Sequence, residues 1–236
     1  MINNTTRNGN LYLDNDRAPI VVFKIELDTL YDNEGVPSAY KIDKLCMLCA
    51  DMKNSGVKIL LVSSGAIALG TALLRLKQYP ATVTMKQAVS AVGQAELIII
   101  YQDHFDHYNQ NVAQVLLTKD VIDNPVRNLN AKNTLNRLLQ QQIIPVINEN
   151  DSVSTNDIIM NDNYPLVKIV ASLVEADAVV VNMHEEDKYM LLVRNHSCVI
   201  DAGNDKLLDL TAGGSGKIYD ADNKISGFPD LFECAG

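Results

Sequence analysis

Cysteine is scarce in this chain: four in 236 residues (Cys46, Cys49, Cys198 and Cys234), too few for a disulfide-stapled secreted fold. Long apolar runs are missing as well. The run near Leu97 to Ile100 is only a few residues, against the ~20 that a bilayer-crossing helix needs. Met1 to Arg17 is rich in Asn, Asp and Thr and carries no hydrophobic leader. These absences predict a reduced, cytoplasmic protein with no membrane partner. Basic residues are the minority, 20 Lys and Arg against 29 Asp and Glu for a net charge of −9. Phosphate-backbone binding needs a basic footprint, so nucleic acid is set aside as a partner. Twelve Gly and seven Pro are too few for a collagenous or low-complexity chain. What is present is ample hydrophobic content, 47% of a chain long enough to bury a sizeable core.

From Ile20 onward strand-like and helix-like segments alternate, the pattern of an α/β domain with a largely parallel sheet covered on both faces. Continuous β-branched or Leu-rich runs place strands at 20–25, 58–62, 112–118, 143–147 and 178–182. Apolar residues every three or four positions place helices at 41–53, 66–77, 85–108, 129–141 and 166–176. Residues 152–164 are polar and without period, which predicts a loop or hairpin outside the sheet. After Met183 the signal weakens. The expected organisation is a polar N-terminal arm over residues 1–18 and one domain over 19–236, with no internal repeat or linker.

In an open α/β sheet ligands sit beyond the carboxyl ends of the strands. Three clusters follow strands here. Ser63-Ser64-Gly65-Ala66 combines small residues with a helix start whose free N–H groups suit a carboxylate. Asn148-Glu149-Asn150-Asp151 offers four hydrogen-bonding side chains, two of them carboxylates, for an ammonium group or a metal-bound phosphate. Lys24, on the first strand, supplies a positive charge that could face a transferring phosphoryl group.

At these residues the chain resembles the glutamate 5-kinases of the amino acid kinase superfamily. The motifs run in order with similar spacing: Val62-Ser63-Ser64-Gly65-Ala66-Ile67-Ala68-Leu69-Gly70, then Lys86-Gln87-Ala88-Val89-Ser90-Ala91-Val92-Gly93-Gln94, then Gln114-Val115-Leu116-Leu117-Thr118. Leu129-Asn130-Ala131 and Pro145-Val146-Ile147-Asn148-Glu149-Asn150-Asp151 complete the series. The resemblance implies an α/β/α sandwich that transfers the γ-phosphoryl of ATP, with Mg²⁺, to the side-chain carboxylate of L-glutamate, the first step toward proline. It implies glutamate contacts at Ser64, Gly65, Ala66, Asp151 and Asn163. It places Lys24 and Lys217 as catalytic lysines, with Asp162 orienting them or the metal. It sets Lys24, Met183, His184, Gly213, Gly214 and Lys217 around the nucleotide. The resemblance also implies association of like subunits and proline as an inhibitor.

The nucleotide half departs from the family pattern. A Gly and a Ser or Thr usually follow the strand lysine, where this chain has Lys24-Ile25-Glu26-Leu27. The usual Gly-Asp-Asn-Asp reads Asn161-Asp162-Asn163-Tyr164, and a Thr-Asp pair reads Met183-His184. The glycine-rich stretch is reduced to Thr211-Ala212-Gly213-Gly214-Ser215-Gly216-Lys217. That stretch is not a P-loop, because Thr211 stands where the first Gly is required and Ile218 where Ser or Thr should follow the Lys. The RNA-binding-like C-terminal domain of many bacterial members is not expected within these residues, nor is the last part of the kinase domain. These departures raise a second expectation, a non-catalytic relative that binds glutamate or proline as a regulatory or partner subunit. Cys46 and Cys49 have the spacing of a metal or redox pair but lie on a helical apolar stripe, which predicts two buried thiols. His104 and His107 are expected on a solvated helix face.

Overall fold

Strands made of continuous apolar runs must be covered on both faces, and the arrangement follows from that. The computed structural model describes residues 18–25, 30, 37–154, 164–182, 188–193, 196–201 and 219–220. Strands β1 (Ile20–Ile25), β2 (Lys58–Ser63), β3 (Val112–Leu117), β4 (Ile144–Glu149) and β5 (Ala178–Asn182) alternate with helices α1 (Ala39–Asn54), α2 (Ala66–Leu73), α3 (Val83–Asp106), α4 (Pro125–Gln140) and α5 (Tyr164–Val174). Three further strands, β6 (Lys188–Val193), β7 (His196–Asp201) and β8 (Tyr219–Asp220), follow. All eight form one sheet in the order β3-β4-β2-β1-β5-β6-β7-β8. The first five in that order are parallel, and β6 to β8 pair antiparallel beyond β5.

Side chains alternate across the sheet, so each strand feeds two cores. On one face Val21, Phe23, Ile59, Leu61 and Val146 pack with Leu45 and Cys49 of α1 and with Leu97, Tyr101 and Phe105 of α3. On the other, Val22, Leu60, Val62, Ile147 and Val179 pack with Leu135 and Leu139 of α4 and with Leu166 and Val170 of α5. This is the α/β/α sandwich with a largely parallel sheet. A reciprocal clamp ties the starts of β1 and β5: Ile20 N–H donates to Asp177 Oδ2 and Asp177 N–H to the Ile20 carbonyl, both at 2.8 Å.

Several boundaries differ from the expected ones, for local reasons. Helix α4 begins at Pro125 rather than Leu129, because Asn124 caps it by accepting from Val126 N and Arg127 N at 3.1 Å and Pro125 fits the first turn. Helix α2 stops at Leu73, short of Lys77, where Arg75 turns the chain at φ 51°. β3 is the edge strand and is half-exposed rather than buried on both faces. β6 and β7 lie in the stretch where the sequence signal weakens, because they return as a hairpin without the helical crossover that marks the first five strands. The expected N-terminal arm lies outside the described residues apart from Ala18.

Helices α2 and α3 cross at a distance only glycine permits. A Cβ on Gly93 would lie 1.8 Å from the Ala66 carbonyl oxygen, and one on Gly70 would lie 2.0 Å from that of Val89. The crossing holds the start of α2, and with it the turn after β2, against the middle of α3.

Candidate active site

A single register row runs through Val115, Ile147, Val62, Lys24 and Val181 near the carboxyl ends of the parallel strands. Lys24 therefore sits in the middle of the sheet, on the face of β1 that also carries Val22. It is 1% exposed, so the solvated strand-end charge that a lone lysine usually represents is not what the fold builds. A buried ammonium group acts on an arriving anion with little screening by water.

Beyond the row, β2 ends in Ser63 and the chain turns. Ser64 N–H donates to the Ile25 carbonyl at 3.1 Å, and its Oγ reaches the same oxygen at 3.4 Å. Gly65 makes the turn into α2 with φ 101°, a conformation costly for any residue with a Cβ. Ser63 is fully buried on the other side of β2 and shares a 2.9 Å hydrogen bond with Tyr101. Burial pushes the Tyr101 phenol up, so it stays protonated as a structural member of the core.

β4 ends in a cluster of polar side chains, several of them buried. Asn148 is buried, accepts from Glu149 N–H at 2.8 Å and donates through Nδ2 to Gln94 Oε1 at 2.7 Å. Glu149 is buried and accepts from Ser154 Oγ. Asn150 N–H donates to the Leu117 carbonyl at 2.7 Å, tying the turn to β3. Asp151 accepts from Ser90 Oγ at 2.5 Å. Partial burial, with the Asp151 charge second, raises the Tyr79 phenol.

Several of these groups line a cavity of about 210 Å³. Ser90, Ala91, Gln94 and Ala95 of α3 form one wall, Gln114 and Leu116 of β3 another, and Glu149 to Ser152 the third. The volume lies below the ~300–1,000 Å³ typical of drug-sized ligand sites and suits a small polar metabolite. Two carboxylates (Glu149, Asp151) and three amides (Gln94, Gln114, Asn150) stand among the apolar groups of the lining, so an ammonium group and hydrogen-bonding oxygens are what it can satisfy.

Of the residues expected from the sequence, Asp151 lines this cavity. Ser64, Gly65, Ala66 and Lys24 lie at the carboxyl ends of the neighbouring strands β2 and β1 but do not line it. Asp162, Asn163, Met183, His184, Gly213, Gly214 and Lys217 fall outside the described residues, as does Glu26. Ser90 and Gln94 belong to the 86–94 motif, and the sequence by itself assigns neither a role. Their signal was polarity on a buried stripe: both sit among Val89, Gly93 and Leu97 on the inward face of α3. Cys46 and Cys49 are buried free thiols on α1, as expected. His107 is well exposed on its helix end, as expected of a solvated face, whereas His104 is half-buried with Nδ1 2.8 Å from the Ile100 carbonyl oxygen.

The family model for the amino acid kinase family matches residues 20–183. A protein named glutamate 5-kinase from Clostridium acetobutylicum is 38% identical over 200 residues, covering 83% of this chain and 75% of the relative. Its namesake from Clostridium perfringens is 44% identical over 165 residues, covering 68% and 61%. The namesake from Enterococcus faecalis is 42% identical over 169 residues, covering 70% and 62%. The chain thus spans between three fifths and three quarters of the length of these relatives. With the sheet order, the two-faced core and the match over most of its length, the chain belongs to the amino acid kinase family.

Proposed function

We propose that this protein is a glutamate 5-kinase, moving the γ-phosphoryl group of ATP to the side-chain carboxylate of L-glutamate. The observation that carries this reading is the cavity at the end of β4, with Asp151 held in its wall by Ser90 and with buried Lys24 on β1, two strands along the same sheet. Asp151 takes the substrate's α-ammonium group, and Ser64 with the start of α2 takes a carboxylate. A γ-carboxylate oxygen attacks the γ-phosphorus, the bond from that phosphorus to the bridging oxygen breaks, and ADP leaves with the electron pair. The attacking carboxylate is already ionised, so no general base is required. The protein's task is to position the two anions and neutralise charge on the transferring group, which a buried lysine does well.

No group of three or more His, Cys, Asp or Glu among the described residues is arranged to hold a metal by itself. Mg²⁺ carried on ATP phosphates needs only one or two protein carboxylates, and Glu149 is of the right chemistry. Bound in that way it would neutralise phosphate charge. Lys217 as a second lysine, Asp162 and Asn163 near the substrate, and Met183, His184, Gly213 and Gly214 at the nucleotide remain part of the proposal through the family resemblance. So do inhibition by proline, self-association and a cytoplasmic location. No helix among the described residues is long and apolar enough to cross a membrane.

Glutamate-dependent ADP release with MgATP tests the reading, with Lys24→Ala and Asp151→Ala run beside the wild type to expose a contaminating kinase. Turnover that requires glutamate and disappears in both variants is expected. Glutamate binding without turnover would turn the reading toward a non-catalytic binding subunit, which neither the relatives nor the described residues favour.

A further inference from the structure

Gln94 stands in the cavity wall with its orientation dictated from the backbone. Glu149 N–H can only donate, so it fixes Asn148 with Oδ1 toward it. Asn148 Nδ2 then points at Gln94, which must present Oε1 to receive it at 2.7 Å. The Gln94 amide cannot flip without facing donor to donor. Its Nε2 is left buried with no hydrogen-bond partner among the described residues, on a side chain 6% exposed that lines the cavity. A buried donor without an acceptor is destabilising, and an interior that retains one is completed by something that enters. The neighbouring wall contributes Asp151 and Glu149, whose carboxylates attract a cation, so a molecule that carries both an ammonium group and an acceptor oxygen satisfies the two walls at once.

We propose that Gln94 is a binding residue for the amino-acid substrate, donating through Nε2 to the α-carboxylate of the same molecule whose ammonium group Asp151 takes. The inference rests on the glutamate reading of the cavity. The ammonium and α-carboxylate share one carbon, so a site that grips the first with Asp151 needs a donor for the second in the same cavity, and Gln94 in the α3 wall is such a donor. Its neutral amide supplies this without bringing a further positive charge beside the ammonium group. Asn148 acts through Gln94 as a positioning residue.

Calorimetric titration of the full chain with L-glutamate and, separately, with MgATP tests this, using wild type, Gln94→Met and Gln94→Glu at pH 8.5. Methionine removes both amide functions at nearly constant length. Glutamate at this position keeps an acceptor for Asn148 and replaces only the donor. Both variants are expected to bind L-glutamate at least about tenfold more weakly, with MgATP affinity within about twofold of wild type. L-Glutamate affinity within twofold of wild type in either folded variant overturns the inference and leaves the kinase reading standing. Equal weakening of both ligands assigns Gln94 to the core and also overturns it. Wild type that binds no L-glutamate refutes the reading of the cavity itself, and the inference with it.

Discussion

Ser90 in the middle of α3 and Asp151 beyond the end of β4 are 61 residues apart in the chain and share a hydrogen bond of 2.5 Å. Ser90 is almost fully buried, so it holds the carboxylate at the cavity wall from the protein side. Removing the hydroxyl should therefore act through Asp151. Ser90→Ala is expected to raise the KM for L-glutamate about tenfold, the scale of a hydrogen bond to a charged group, with the KM for MgATP unchanged. Ser90→Thr, which keeps the donor, should restore most of the loss. Equal effects of Ala and Thr in steady-state kinetics would remove Ser90 from that role.

Lys24 presents a separate test, because replacing a buried charge by an apolar chain of similar length need not unfold the protein. Lys24→Met is expected to lower kcat by about two to three powers of ten, the usual cost of one preorganised electrostatic group, with L-glutamate binding retained. Circular dichroism and a glutamate titration confirm folding and site integrity. A kcat within tenfold of wild type would show that this ammonium group does not face the transferring phosphoryl.

The α2–α3 crossing makes a stability prediction. In both directions the atom that an added methyl group would strike is a backbone carbonyl oxygen, which cannot rotate aside. Gly93→Ala should cost about 3 kcal/mol, at the upper end of ordinary overpacking, lowering Tm by roughly 6–12 °C for a chain of this size. Gly56→Ala is the contrasting control, since nothing lies within 4 Å of an added Cβ there and only its φ of 95° is strained. Urea unfolding of the two variants should rank Gly93 well above Gly56 in cost. The reverse order would mean that the helices part without penalty.

Cys46 and Cys49 provide a chemical probe of the same core. Burial pushes both thiols well above the ordinary range, and for Cys46 the neighbouring thiol and Asp43 add to it. The thiolate is the reactive form, so neither cysteine should be alkylated by iodoacetamide in the native state at pH 8, and both should react in urea. Peptide mapping by mass spectrometry reads this site by site. Native labelling at either position would mean that α1 separates from the sheet under native conditions.

The sequence alone determined the five parallel strands, the helices between them and the two-faced core. Those depend on neighbours within a few residues: β-branched runs favour strands, and apolar periods of three to four favour helices. The Asn124-Pro125 start of α4 was equally local and could have been read. The order of the motifs also determined the family, and it brought Lys24, Ser64 and Asp151 into view. Only the tertiary structure decided that Lys24 is buried in the centre of the sheet, that Ser64 and Asp151 end up at neighbouring strand ends rather than in one wall, and that Ser90 and Gln94 belong to the site. The bonds from Ser90 to Asp151 and from Gln94 to Asn148 bridge 61 and 54 residues. Such pairings exist because the sheet places β4 next to β2 and α3 packs on that face, and no local pattern encodes strand order. A polar residue on a buried helical stripe records only that it needs a partner, and the fold supplies which one.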